Sequence, residues 1–333
     1  MEKDFFKYQA QTTPHPLALE VSEAKGSFIY DSNQKKYLDF IAGVSACSLG
    51  HCHPKVVEAV KKQLEKYLHV MVYGEFIQEP AVRLTKLLQH YLPNNLTTTY
   101  LTNSGTEAIE GAIKLARRAT KRKEIIYANK AYHGSTLGAL SILGIESQKQ
   151  KFGPLIPECH AIEFNDENEL SKITNKTAGV ILETIQGGAG FIVPRNDYLK
   201  KVKDRCKKVG ALLILDEIQP GFGRTGKLFG FQHFGISPDI LVVGKGMGGG
   251  MPIGGFIASK ELMMLLSNNP KLGHITTFGG NPVIAAAALA TLKEITETSI
   301  IKETLVKEKL FRKLLVHPSI KEIRGKGLML AMI

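Results

Sequence analysis

The chain has 333 residues, a length that suits two domains or one large domain with a smaller companion. Hydrophobic residues make up 44% of it, which excludes a chain that is disordered throughout. The 43 lysines and arginines exceed the 31 aspartates and glutamates by 12, but they are scattered along segments such as VEAVKKQLEKY and YLKKVKDRCKKVG. We interpret these segments as solvated helix faces, and we find no nucleic-acid recognition motif.

The cysteine content and the apolar runs indicate a cellular compartment. Four cysteines are too few for a dense disulfide framework, which fits a reducing environment. The N-terminal MEKDFFKYQAQ is charged from its second residue and lacks the apolar core of a signal peptide. The longest apolar run, VIAAAALATL at 283–292, is too short to cross a membrane. The sequence therefore predicts a soluble cytoplasmic protein without a membrane partner.

The first elements along the chain are a hairpin and two helices. Residues 26–40, GSFIYDSNQKKYLDF, predict two apolar strands around a turn. Residues 54–68, PKVVEAVKKQLEKYL, carry apolar residues at helical spacing and predict an amphipathic helix. Residues 79–92 predict a second helix of the same kind.

From residue 97 onward, short apolar runs alternate with helical patterns. Most of the runs are continuous, as expected for strands that are buried on both faces of a parallel sheet. The predicted strands are 97–102, 124–129, 178–184, 211–217, 239–245 and 254–259. This alternation predicts an α/β fold in which a mostly parallel sheet has helices on both faces.

The last part of the chain breaks this alternation. A helical segment at 281–295 ends it, and residues 320–333 begin a further strand-like unit. We predict that residues 1–50 contribute to a smaller α+β domain, that 51–295 form the large domain, and that 296–333 begin the C-terminal part of the small domain. Because the chain ends just after an apolar run, its pattern is typical of a truncated protein.

The segment LTNSGTEAIEGAIKLARRA, residues 101–119, predicts an anion site. A strand leads into Ser104, Gly105 and Thr106, and Glu107 follows Ser104 at the spacing of a capping box. Free N–H groups and the helix dipole at such a terminus attract anions, so these residues are candidates for a phosphate cradle. The alternative is an ordinary capped helix.

The segment ALLILDEIQPGFGRTG, residues 211–226, places Asp216 and Glu217 at the carboxyl end of a buried strand. Ligands of open α/β sheets bind at that edge. An acidic side chain there can hold a metal, a ribose or a protonated ring nitrogen. The alternative is a carboxylate that caps a neighbouring loop.

The segment VVGKGMGGGMPIGG, residues 242–255, places Lys245 at the end of another buried strand, among glycines that allow close approach of backbone or ligand. A desolvated lysine can attack a carbonyl and form a Schiff base. The alternatives are a phosphate clamp and a solvated lysine. Gly244, Gly246 and Gly249 also match a dinucleotide-binding fingerprint, but a strand-like run follows them where that fingerprint requires a helix.

The three segments together suit pyridoxal 5'-phosphate. A helix N-terminus would hold the phosphate, Asp216 would keep the pyridine nitrogen protonated, and Lys245 would carry the cofactor aldehyde as a Schiff base.

The sequence resembles the class III aminotransferases, the ornithine, acetylornithine and 4-aminobutyrate aminotransferase group of fold-type I pyridoxal phosphate enzymes. The resemblance covers nearly the whole chain and rests above all on DEIQPGFGRTG and GKGMGGGMPIGG. The motifs SLGHCHPKV, NSGTEA, YHGSTLGALS, ETIQGG and TTFGGNPV follow in the order of the family.

The resemblance implies a role for each matching residue. Lys245 and Asp216 would be catalytic, as the Schiff-base lysine and the partner of the pyridine nitrogen. Tyr132 would stack on the cofactor ring and Ile218 would pack under it. The other implied cofactor-binding residues are Ser104, Gly105, Thr106, His133, Glu183, Gln219 and Thr277.

The resemblance further implies a homodimer and a reaction. Thr277 would reach the phosphate in the neighbouring subunit. A ping-pong mechanism would move an amino group from an amino acid or ω-amine to an oxo acid, 2-oxoglutarate in many relatives, with Lys245 as general base and acid. An aminomutase, epimerase or decarboxylase on the same scaffold is the alternative.

Two residues depart from the pattern of the family. Many family members carry a glutamate where this chain has Gly188 and an arginine where it has Ser135. These differences speak against ornithine-like or acetylornithine-like recognition.

The cluster CSLGHCHP at 47–54 lacks the spacing of a zinc site, so we predict no metal. A nicotinamide-dependent oxidoreductase and a nucleic-acid-binding protein remain as rival functions.

Overall fold

A computed structural model describes residues 1–333. Twelve β-strands form three sheets. The strands are β1 Val21–Lys25, β2 Phe28–Asp31, β3 Lys36–Leu38, β4 Thr98–Thr102, β5 Glu124–Ala128, β6 Cys159–Ile162, β7 Thr177–Glu183, β8 Leu212–Asp216, β9 Ile240–Gly244, β10 Gly254–Ala258, β11 Ile323–Lys326 and β12 Met329–Met332.

The helices connect and cover these strands. They are α1 Glu2–Tyr8, α2 Ala42–Ser45, α3 Pro54–Leu64, α4 Glu79–His90, α5 Gly105–Thr120, α6 Leu137–Ser141, α7 Tyr198–Val209, α8 Lys260–Met264, α9 Pro282–Glu297 and α10 Ile300–Leu314. All four residues of α2 have positive φ, so this short element is a left-handed turn. No helix combines the length and the apolar character that crossing a membrane requires.

The central sheet has seven strands in the order β4-β10-β9-β8-β7-β5-β6. β9, β8, β7, β5 and β6 pair in parallel, whereas β10 pairs antiparallel with both β9 and β4. A mostly parallel α/β sheet was predicted from the continuous apolar runs, and the structure confirms it. Since β10 runs against its neighbours, residues 244–254 form a tight return rather than a crossover helix.

Alternate residues of the buried strands pack on opposite faces of the central sheet. One face packs against α7 and α9, and the other packs against α5. The first face includes Ile126, Val180, Leu213 and Leu241, and the second includes Ile125, Ile181, Ile214 and Ile240. Every residue of β7, β9 and β10 is buried.

The predicted strand positions agree with the structure to within one residue at each end. The predicted hairpin at 26–40 is confirmed, because β2 and β3 pair antiparallel. The helices predicted at 54–68 and 79–92 end earlier, at Leu64 and His90. β6 was not predicted. It lies at the edge of the sheet with a half-exposed face, so its four residues lack a continuous apolar run.

Helix α5 lies so close to the sheet that position 111 has no room for a side chain. A Cβ at Gly111 would lie 2.3 Å from Cε1 of the buried Phe256 ring on β10. Ala usually stabilises a helix by about 1 kcal/mol relative to Gly. Overpacking a close-packed core costs about 1–3 kcal/mol.

We expect Gly111→Ala to lower the free energy of unfolding because the clash with Phe256 outweighs the gain in helix propensity. Urea unfolding followed by circular dichroism measures the change. In a Phe256→Leu background the same Gly111→Ala change should become neutral or stabilising. An equal loss in both backgrounds would contradict this account of the helix–sheet contact.

Candidate active site

A cavity of about 560 Å³ opens at the carboxyl ends of β7, β8 and β9. All but two of the predicted site residues line it. They are Gly105, Thr106, Tyr132, His133, Glu183, Asp216, Ile218, Gln219 and Lys245. The cavity volume lies within the range of about 300–1,000 Å³ that is typical of small-molecule sites.

Asp216 is the last residue of β8, and both its carboxylate oxygens have partners. Oδ1 accepts a hydrogen bond from the Ile218 backbone N–H at 2.9 Å. Oδ2 lies 2.8 Å from Nδ1 of His133, whose side chain is fully buried. Because a carboxylate can only accept, Nδ1 of His133 carries the proton. His133 Nε2 is buried without a partner.

Glu183 ends β7 and is the sheet neighbour of Asp216. Its oxygens accept from the backbone N–H groups of Gly187 at 2.9 Å and Tyr132 at 3.2 Å. Burial raises the pKa of Glu183 to about 7 against the opposing effect of nearby His133. Glu183 thus fixes two segments of cavity lining, one on each side of it.

Lys245 follows β9 directly and has a left-handed backbone, with φ of +44°. A residue other than glycine adopts this conformation at a cost, so it marks a functional or tightly held position. The glycines after Lys245 do not line the cavity, which corrects the expectation that they make room for a ligand. Cβ atoms at Gly246 and Gly249 would lie 2.5 Å from Ser48 Oγ and 2.2 Å from Thr291 Oγ1. These glycines allow the backbone to pack against the protein itself.

The N-terminus of α5 forms the opposite wall of the cavity. Ser104 caps this helix by accepting from the Glu107 N–H at 3.4 Å, and it does not line the cavity. A Cβ at Gly105 would lie 2.7 Å from Ile218 Cδ1, so the start of the helix packs closely against the Ile218 side chain. Gly105 and Thr106, the first residues of the helix, line the cavity, so the free N–H groups of this turn are available for an anion.

The Thr106 hydroxyl belongs to a network that the sequence did not indicate. It lies 2.7 Å from Thr136 Oγ1, and Thr136 Oγ1 donates to Glu110 Oε1 at 2.6 Å. The same Glu110 oxygen accepts from the Gly138 N–H at 2.9 Å. Glu110 lies one turn beyond Thr106 on α5, so the two side chains share one helix face. This spacing is the sequence signal that could have identified Glu110.

The remaining predicted residues lie at the periphery. Tyr132 is at the mouth of the cavity, 43% exposed, with its hydroxyl 3.2 Å from Ser135 Oγ. Gln219 donates to Ser45 Oγ at 3.3 Å. Thr277 is exposed and lies outside the cavity of its own chain. The sequence missed the lining residues Val44, Phe191 and Pro220, which carry no chemical signal.

The cavity fits pyridoxal 5'-phosphate. The helix N-terminus can take the phosphate, and the buried Asp216 can take a positively charged ring nitrogen. Lys245 brings a primary amine to the same cavity. A Cβ at Gly134 would lie 2.3 Å from Thr106 Oγ1, and a Cβ at Gly187 would lie 2.1 Å from Gln219 Oε1. The absence of a side chain at these two glycines therefore lets Thr106 and Gln219 take their places in the cavity lining.

Comparison with sequence families agrees with this geometry. Residues 8–333 match the family model described as aminotransferase class-III. Acetylornithine aminotransferase of Bacillus subtilis is 41% identical over 320 residues, which cover 94% of this chain and 81% of that protein. The protein of the same name from Methanocaldococcus jannaschii is 42% identical over 328 residues, which cover 94% and 80%.

Solved structures with the same fold include two further aminotransferases. Ornithine aminotransferase from Toxoplasma gondii has a TM-score of 0.88 and 34% identity, covering 98% of this chain and 80% of that one. Taurine:2-oxoglutarate aminotransferase from Bifidobacterium kashiwanohense, in complex with pyridoxal phosphate and glutamate, has a TM-score of 0.89 and 27% identity, covering 100% and 82%.

These relatives are transaminases, so an aminomutase, epimerase or decarboxylase on the same scaffold is not favoured. A nicotinamide-dependent enzyme is not favoured either, since strand β10 and not a helix follows Gly249. The cavity and the similarity along the whole chain lead to one conclusion: the chain belongs to the class III aminotransferases and is a pyridoxal 5'-phosphate-dependent transaminase.

Proposed function

We propose that this transaminase moves a terminal amino group from its donor to 2-oxoglutarate, with Lys245 and Asp216 as the catalytic residues. The observation that carries the proposal is the meeting of Lys245, Asp216 and the α5 N-terminus around one cavity. The terminal amine is supported by the relatives named acetylornithine aminotransferase and by the solved ω-transaminases. N-acetylornithine is therefore the first donor to test, although Gly188 and Ser135 differ from many family members.

Each cavity residue has a part in this reaction. When bound, pyridoxal 5'-phosphate supplies an aldehyde that accepts the amino group and a ring that stabilises negative charge. The backbone N–H groups of Gly105 and Thr106 would hold its phosphate. Asp216 would keep a proton on its ring nitrogen, and His133 orients Asp216 through the 2.8 Å hydrogen bond.

Lys245 has two successive tasks. With the cofactor bound, the Lys245 amine would anchor it covalently, and once a donor amine has freed it, that amine would move a proton at the carbon that bears the donor's nitrogen. Tyr132 and Ile218, which line the cavity, would cover the two faces of the ring, and Gln219 would lie near its phenolic oxygen. Glu183 supports this arrangement by holding the backbone of Tyr132 and Gly187.

We also propose a homodimer in which Thr277 reaches the phosphate in the partner's cavity. Thr277 is exposed and lies outside its own cavity, and its neighbours Ile275 and Phe278 are 52% and 54% exposed. A second copy of the chain would cover these apolar side chains.

We further propose that the protein works in the cytoplasm, since its four free cysteines suit a reducing compartment.

Lys245→Ala should abolish the covalent link to the cofactor. With added pyridoxal 5'-phosphate, the wild type should develop a yellow absorbance band that borohydride fixes, and peptide mass spectrometry should find the label on Lys245. The variant should show neither band nor label. A band of equal strength in both proteins would contradict the role of Lys245. Glutamate formation from N-acetylornithine, ornithine or taurine with 2-oxoglutarate then identifies the donor.

Asp216→Asn should keep the cofactor but lose turnover. Asparagine keeps an acceptor for the Ile218 N–H but carries no negative charge, so the ring nitrogen loses its proton. We expect kcat to fall by about 100-fold or more, the scale of removing a preorganised electrostatic partner. His133→Gln should lower kcat less, because Asp216 keeps its charge. A larger loss in His133→Gln than in Asp216→Asn would argue against this order of roles.

Shared active sites can be tested by mixing two variant subunits, each defective in a different part of the site. Thr277→Ala should weaken cofactor binding by about tenfold, the loss of a hydrogen bond to a charged phosphate. In a mixed dimer of Lys245→Ala and Thr277→Ala subunits, one cavity has both Lys245 and a Thr277 from its neighbour. At limiting cofactor this mixture should be more active than either parent. Activity no higher than that of the parents would refute sharing through Thr277.

A further inference from the structure

Residues 187–191 form a loop, here called the wall loop, that closes one side of the cavity. Gly187, Gly188 and Phe191 line the cavity. The base of the loop is a pair of hydrogen bonds between Gln186 and Ile192, of 3.0 and 3.1 Å. Inside it, the Gly190 N–H donates to the Gly187 carbonyl at 3.0 Å. The wall loop is therefore a small closed unit with its tip at residues 189 and 190.

Arg324 of β11 binds the tip of the wall loop. Its Nε donates to the Gly190 carbonyl at 2.5 Å and its Nη2 donates to the Ala189 carbonyl at 2.8 Å. A planar guanidinium that binds two acceptors fixes direction as well as distance. A Cβ at Gly190 would lie 2.6 Å from Arg324 Nη2, so the two groups are in tight contact.

Helix α10 fixes the backbone on both sides of Arg324. Arg312 donates to the carbonyls of Ile323 and Gly325, which flank Arg324, at 2.6 and 2.9 Å. Glu308 in turn accepts from Arg312 at 2.9 Å. The side chain that binds the wall loop thus projects from a fixed backbone.

The wall loop connects directly to the cavity residues that would face substrate. The Gly187 N–H donates to Glu183, and Glu183 also accepts from the Tyr132 N–H. A Cβ at Gly188 would lie 3.2 Å from Tyr132 Cβ, so these two positions oppose each other across a narrow gap. Phe191 has a left-handed φ of +55°, a conformation that persists only when its surroundings hold it.

We propose that Arg324 is a positioning residue that fixes the wall loop and thereby sets how the amine and the oxo acid fit beside Tyr132. It contacts no reacting atom and acts through the carbonyls of residues 189 and 190. This proposal rests on the function proposed above, so its test includes a measurement that does not require turnover.

The test compares Arg324→Met and Arg324→Lys with a matched control on the same chain. Arg117 also uses Nε and Nη2 to bind two backbone carbonyls, those of Lys123 and Pro157, but it lies near the far end of α5. Arg117→Met therefore removes the same chemistry away from the cavity. Arg324→Gln, which offers one amide donor group in place of the guanidinium, serves if Arg324→Met does not fold.

Hydrogen–deuterium exchange on the cofactor-free protein provides the first measurement. In Arg324→Met and Arg324→Gln, the amides of 187–192 should exchange about tenfold faster, because the loop opens more often. Arg324→Lys should lie between these variants and wild type, and Arg117→Met should match wild type. Unchanged exchange in Arg324→Met, or in Arg324→Gln if Arg324→Met does not fold, would overturn the proposal, whether or not the protein transaminates the donors tried.

Steady-state kinetics with N-acetylornithine and 2-oxoglutarate provide the second measurement. In Arg324→Met, KM for both substrates should rise about tenfold, while kcat stays within about threefold and the affinity for pyridoxal 5'-phosphate is unchanged. Faster loop exchange with an unchanged KM would overturn the claim that the wall loop shapes the substrate side. If wild type fails to use any amine donor, the proposed function fails, and the exchange measurement still decides whether Arg324 holds the loop.

Discussion

The register between three parallel strands determines the geometry of the active site. Glu183 on β7 pairs with Asp216 on β8, and Asp216 pairs with Val242 on β9, three residues before Lys245. All residues of β7 and β9 are buried. A slip of one residue would exchange the side chains that pack against α5 with those that pack against α7 and α9, so core packing enforces the register. The distances between the acidic residues and the lysine therefore follow from the packing of the core.

The carboxyl groups at this edge have different surroundings and therefore different tasks. Glu183 and Glu217 both have their pKa raised to about 7, chiefly by burial. Glu217 accepts from Thr184 and from the Gly230 and Phe231 N–H groups, so it holds the loop that follows β8. Asp216 lines the cavity, and among these three carboxyl groups it is the one that is hydrogen-bonded to a histidine. This makes Asp216 the carboxylate best placed to face a positively charged ring nitrogen.

Features carried by local sequence were predicted well. The apolar runs revealed the buried strands, and strand-end positions revealed Asp216 and Lys245. The half-exposed β6 has no such run and was missed. Ser104 was assigned to the cradle although it caps α5, because the same residue pattern serves both purposes. The glycines after Lys245 were misread because their neighbours, Ser48 and Thr291, are distant in sequence.

Contacts between distant segments explain what the sequence could not reveal. The network of Thr106, Thr136 and Glu110 and the contact between Arg324 and the wall loop both join residues far apart along the chain. Backbone carbonyls are the acceptors for Arg324, and every residue has one, so no residue type marks the contact. The division of the chain at residues 50 and 295 stays a prediction.

The tight packing of the glycines after Lys245 has a consequence for motion in the site. Gly246 and Gly249 hold the backbone against Ser48 and Thr291, and Lys245 itself lies in a left-handed conformation on that support. The backbone beneath the amine has little freedom to shift. Any movement of the Lys245 amine within the cavity would therefore come from rotation about its own side-chain bonds, with no hinge in the backbone at this point.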